Sequence, residues 1–178
     1  MGILKRLLPL LGVVLWFGTT QLRAQEDESP AQKQYRDDYE QWQKIQAMKE
    51  PLKRAEEWIK FVQERPKSQM LRNAQADFLF ILQDLAKQTR WETLTPLAER
   101  FIKACPRVGE TYYYYGQALD WLKKPDEATI ALAKCYVLKN AGSDKAKLYL
   151  ESIYKRTHQG KTDGLDALIQ KVRGEIGG

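Results

Sequence analysis

The stretch TYYYYGQALDWLKKPDEATIALAKCYVL, residues 111–138, decides the fold. Its large residues Tyr112, Tyr115, Leu119 and Leu122 recur at three- and four-residue steps, which sets them on one face of a helix. Pro125-Asp126-Glu127 then opens a second helix. Proline suits a first turn, where its missing N–H costs nothing, and acids there meet the positive end of the helix dipole. Ala128, Leu132, Cys135 and Leu138 form the stripe of that second helix. The break between the two is short, so they should lie as antiparallel neighbours.

The same rhythm runs outward in both directions. Towards the N-terminus, Tyr39, Trp42, Ile45 and Met48 form one stripe, with periodicity starting near Tyr35. Leu52, Ala55, Ile59 and Val62 form the next, between Pro51 and Pro66. Leu71, Ala74, Phe78, Ile81, Leu82 and Leu85 follow, with Ser68 as a cap. After Trp91 come Leu94, Leu97, Ala98 and Phe101, closed by Pro106. Towards the C-terminus, Asn140-Ala141-Gly142 is a stop and Ser143 a cap, and Ala146, Tyr149, Leu150, Ile153 and Tyr154 face inward. A last helix covers about residues 163–173. The sum is eight helices in four consecutive hairpins. Val is scarce and no long segment alternates apolar with polar, which argues against a β-rich fold.

The N-terminus has a different character. Lys5 and Arg6 precede an apolar run from Leu7 to Phe17, and Leu22-Arg23-Ala24 sets an alanine at a cleavage position. This is the layout of a secretory signal peptide, with cleavage after Ala24, and it predicts a periplasmic or secreted protein. The run is short for a membrane span, which needs ~20 apolar residues. Membrane attachment is expected only through an uncleaved signal. Residues 25–34 (QEDESPAQKQ) read as a flexible leader, and residues 35–174 as the helical domain. Removing residues 1–24 removes three cations and no acid, so the formal charge falls from +6 to +3. That weak positive balance does not point to nucleic acid.

Tyr112-x-x-Tyr115-Gly116-x-x-Leu119, followed by Ala128-x-x-x-Leu132, resembles the tetratricopeptide repeat. In that pattern the glycine and the alanine let the two helices of a hairpin approach closely. Phe78 lies 34 residues before Tyr112, which is the length of the family's repeat, and Ile81, Leu85 and Pro106 fall in register. The departures are Leu82 for the glycine, Leu94 for the alanine, and Asn140 where the family usually has proline. An earlier unit is traced by Tyr39, Trp42, Ala55, Ile59, Val62 and Pro66. The last hairpin keeps only the helical rhythm and serves as a cap to the stack. The resemblance implies an α-solenoid whose first helices line a concave groove for a peptide or protein. In this sequence that face would display Tyr113, Gln117, Asp120 and Trp121, with Leu79 and Gln83 from the preceding unit and Lys147 and Glu151 from the next.

Four consecutive tyrosines sharpen that expectation. Tyr112 and Tyr115 share the core face of a helix, so Tyr113 and Tyr114 cannot both be buried with them. They either meet a guest or pack between repeats. A ring supplies large contact area at low entropy cost. An aromatic groove also admits a glycan, which makes a glycan-binding or enzyme-accessory envelope protein the alternative reading.

No catalytic chemistry is expected. His158, the single histidine, stands at a helix end and suits the last carbonyls there. There is no Gly-rich phosphate loop and no H-E-x-x-H. Asp37-Asp38 and Glu56-Glu57 are adjacent on helices, point apart, and read as solvated faces. Cys105 and Cys135 match no zinc spacing. They either form a disulfide in an oxidising compartment or pack as small apolar residues. Neither a metal nor a cofactor is expected.

Overall fold

The computed structural model describes residues 28–177, so the expected signal peptide, its expected cleavage position and the first part of the expected leader lie outside it. Eight helices make up the described chain. They are α1 (Pro30–Gln46), α2 (Pro51–Glu64), α3 (Leu71–Lys87), α4 (Trp91–Ala104), α5 (Gly109–Trp121), α6 (Pro125–Leu138), α7 (Ser143–Thr157) and α8 (Leu165–Gly177). No strand occurs among the described residues, and the fold is all-α.

Pro51 and Pro125 open α2 and α6 as their rigid φ dictates. α1 starts earlier than the Tyr35 periodicity implied. Ser29 and Gln32 form a capping box, with Ser29 N–H donating to Gln32 Oε1 at 2.9 Å, and this carries the helix back to Pro30. Ser68 does not cap α3 directly; its Oγ accepts from Met70 N–H at 3.1 Å, one turn ahead of the helix.

Each helix packs on its successor from α1 to α7, and contacts also join α2 to α4, α3 to α5, α5 to α7 and α6 to α8. α8 rests chiefly on α6 and meets α7 at their turn, where Tyr154 O–H donates to the Asp163 carbonyl at 2.8 Å. The turns joining α3 to α4, α5 to α6 and α7 to α8 are alike. Arg90 N–H bonds Leu85 O at 2.9 Å, Lys124 N–H bonds Leu119 O at 2.9 Å, and Gly160 N–H bonds Lys155 O at 2.8 Å. Each turn carries a left-handed residue, Thr89 (φ 55°), Lys123 (φ 64°) and Gln159 (φ 54°), as a Schellman ending requires.

The core has two parts, joined across α5. One gathers Ile45, Trp58, Phe61, Phe78, Leu82, Leu94 and Phe101, and the other Tyr112, Leu119, Leu132, Leu150, Ile153 and Val172. Ala118 of α5 belongs to the first and Leu119 to the second, while Tyr115 packs on both. Trp58 and Phe61 are fully buried although the α2 stripe omitted them, because α2 touches both α3 and α4 and is enclosed on more than one side. Tyr39 is the reverse case: it is exposed, stacked between Tyr35 and Trp42.

Gly116 is buried against α6. A Cβ there would stand 2.8 Å from Leu132 Cγ and 3.3 Å from the Ala128 carbonyl oxygen, so only glycine fits this crossing without a shift. Asn140 has a use that proline could not serve. Its Oδ1 accepts the Gly109 N–H at 2.9 Å, at the start of α5, where Val108 offers no side-chain cap.

Asp38 corrects the solvated-face reading of Asp37-Asp38. It is 2% exposed, accepts from Gln34 Nε2 at 2.8 Å, and pairs with Arg65 at the end of α2. Burial raises its pKa, but hydrogen bonds from Ser68, Arg65 and Gln34 outweigh burial and hold the carboxyl below its ordinary value. Glu56 and Glu57 do sit at the surface, paired with Arg100 and Lys60.

Candidate functional site

α3, α5 and α7 adjoin one another in that order, and their shared side carries two depressions. The first lies between α5 and α7. On α5, Tyr112, Gly116 and Leu119 are turned into the core, so the helical step brings Gln117, Asp120 and Trp121 to the open side. Tyr149 and Arg156 reach them from α7. Their seven-residue spacing is two turns, which keeps them on one face. Trp91, Lys123 and Pro125 complete a cleft of about 510 Å³.

Asp120 organises this cleft. Its Oδ2 accepts from Tyr149 O–H at 2.7 Å, and its Oδ1 accepts from Arg156 Nη2. The Asp120 side chain is 10% exposed and that of Arg156 57%, so the pair runs from the floor to the rim. Burial, and then the Asp120 carboxylate, push the Tyr149 phenol well above its ordinary pKa, which keeps it a proton donor to Asp120. Trp121 is 52% exposed; its ring centre lies 6.5 Å from that of Trp91, with the planes 36° apart.

The second depression, of about 230 Å³, lies between α3 and α5. Leu79 and Gln83 line it together with Ala76, Phe80, Glu110 and Tyr114. Phe80 is 67% exposed. An apolar groove also runs on the other side of the molecule, between α4 and α6, floored by Tyr112, Tyr115 and Leu119.

The sequence-derived face is therefore divided. Gln117, Asp120 and Trp121 share the first cleft, and Leu79 and Gln83 the second. Tyr113 lines neither. It is half-buried, edge-on to Tyr114 at 5.5 Å, and its hydroxyl accepts from Gln117 Nε2 at 3.2 Å, so it steadies Gln117 from behind. Lys147 and Glu151 also line neither; the Lys147 ammonium sits 5.5 Å from the centre of the Tyr136 ring. Tyr149 and Arg156 were the residues sequence reasoning missed. The helical stripe places Tyr149 inward, whereas it is half-buried with its hydroxyl on Asp120. The seven-residue pairing of a tyrosine with an arginine was the available signal.

Cys105 and Cys135 are free and buried, packed in different parts of the core. Burial pushes the Cys135 thiol up to about 12, and Cys105 is raised by burial as well. His158 ends α7, with Nδ1 3.0 Å from the Tyr154 carbonyl oxygen and its ring flat on Tyr154 at 3.9 Å. Among the described residues, no group of three or more His, Cys, Asp or Glu is placed to hold a metal ion, and no helix is long and apolar enough to cross a membrane.

No family model, curated protein or solved structure matches this chain.

Proposed function

We propose that the chain is an exported scaffold of tetratricopeptide-type hairpins, stacked as an α-solenoid, that holds a peptide or protein partner on the α3–α5–α7 side and has no catalytic site of its own. The observation that carries the reading is Phe80. A phenylalanine 67% exposed, beside Leu79 and Tyr114 in a shallow depression, offers an apolar anchor point with a polar rim from Gln83 and Glu110. Such anchors supply most of the affinity at peptide-binding surfaces. Export rests on the layout of residues 1–24.

The test places a photo-cross-linking amino acid at position 80 and, as a control, at Lys147. Position 80 should capture one defined partner in the native cells, Lys147 should not, and Phe80→Asp should abolish co-purification of that partner. Equal recovery with Phe80→Asp removes the proposed surface. N-terminal analysis of the mature chain should begin at Gln25; a chain still carrying Met1 would remove the cleavage, and one that also fractionates with the cytoplasm would remove the export step.

A further inference from the structure

The cleft between α5 and α7 differs in chemistry from the apolar depression at Phe80. We infer that it binds a saccharide, with a sugar ring lying on Trp121 and its hydroxyls meeting Gln117, Asp120 and Arg156.

The aromatic wall argues for this first. Trp121 is half open to solvent, and Trp91 beside it is tilted by 36° rather than parallel to it. Two parallel faces would clamp a planar base, whereas tilted neighbours only broaden one wall. A pyranose needs one such wall, because its axial C–H groups form an apolar face that rests on the negative face of an indole.

The polar groups argue the same way. Gln117 gives one N–H of its amide to Tyr113 and keeps the other N–H together with its carbonyl oxygen. Asp120 accepts once at each oxygen and keeps further lone pairs, while Arg156 retains donors beyond the one given to Asp120. Donors and acceptors thus stand side by side, which suits a group that is both at once, the hydroxyl. Tyr149 and Arg156 hold Asp120 in one orientation before any ligand arrives, so little ordering remains on binding.

An anionic ligand fits less well. Asp120 already balances the charge of Arg156, and Lys123 alone is left among the lining residues to attract an anion. A phosphate or carboxylate would also face the Asp120 carboxylate. The volume, about 510 Å³, lies in the ordinary range of ligand clefts.

The experiment titrates the mature protein with neutral oligosaccharides, namely cellotetraose, laminaritetraose and triacetylchitotriose, read by tryptophan emission and calorimetry. At least one should bind in the millimolar range or tighter. Trp121→Ala should weaken it about tenfold or more with an unchanged melt, since that side chain is half exposed. Phe80→Asp should leave it unaltered, which separates this site from the peptide surface. No binding by any of the three at about 10 mM overturns the inference, as does undiminished binding by Trp121→Ala. Binding only of an acidic peptide, lost in about 0.5 M salt, would overturn it in favour of an anion site.

Discussion

The helical hairpins α3–α4 and α5–α6 share one turn, displaced by 34 residues from Thr89 to Lys123, yet they are held together in opposite ways. In α3–α4 the facing positions are filled. Leu82 and Leu94 are fully buried, and Phe78 lies on Phe101 with ring centres 3.9 Å apart and planes 7° from parallel. In α5–α6 the residues at the same offsets are Gly116, Ala128, Tyr112 and Cys135. There the backbones close on each other until Gly116 has no room for a side chain, and the contact between the helices is far more extensive. An identical turn therefore accepts either spacing. Side-chain volume at four positions decides which one forms, since interiors pack to constant density.

The largest test removes the aromatic filling. Phe101→Ala should cost about 3–5 kcal/mol in urea unfolding, through lost burial and the cavity left under Phe78. A loss under about 1 kcal/mol would mean that α3–α4 does not depend on its side chains and would end the contrast. Next comes the shared position itself. Gly116→Leu should cost about 1–3 kcal/mol or more by overpacking against Leu132 and Ala128, while Leu82→Met should cost less than about 1.5 kcal/mol because volume is kept. Equal melting temperatures for the two variants would show that the tight crossing is not real. The smallest effects belong to the turns. Thr89→Gly and Lys123→Gly should each stabilise by about 1 kcal/mol or less, with the larger gain at the β-branched Thr89, where a positive φ is most strained. A loss at either site would show that its turn is not left-handed.

The long stripes were legible because burial follows helical period. Phe78, Leu85, Leu119, Leu132 and Ile153 are buried where the spacing put them. Trp58 and Phe61 escaped that reading because α2 is enclosed by three neighbours, α1, α3 and α4, and period alone counts one face. Asp38 escaped for a related reason. An acid on a helix reads as solvated until another element brings it an arginine, and Arg65 stands 27 residues away. Of the proposed face, Gln117, Asp120 and Trp121 come together because they lie within one turn of each other on α5. Lys147 and Glu151 miss the cleft, and Tyr149 and Arg156 take that place, because the rotation of α7 about its own axis is set by what α5 and α6 offer it.

By itself, the sequence determined the helices: their number, their type, their apolar faces and the glycine at one crossing. These depend on local geometry, on the 3.6-residue turn, the rigid φ of proline and the missing Cβ of glycine, and they hold wherever the helix goes. Only the tertiary structure decided which polar side chains meet. The Asp120–Tyr149–Arg156 cluster, the Asn140 bond to Gly109 and the tilt of Trp91 against Trp121 each join residues about 30 or more apart. Such meetings turn on how far apart neighbouring helices settle, and that distance follows from the volumes of every side chain between them.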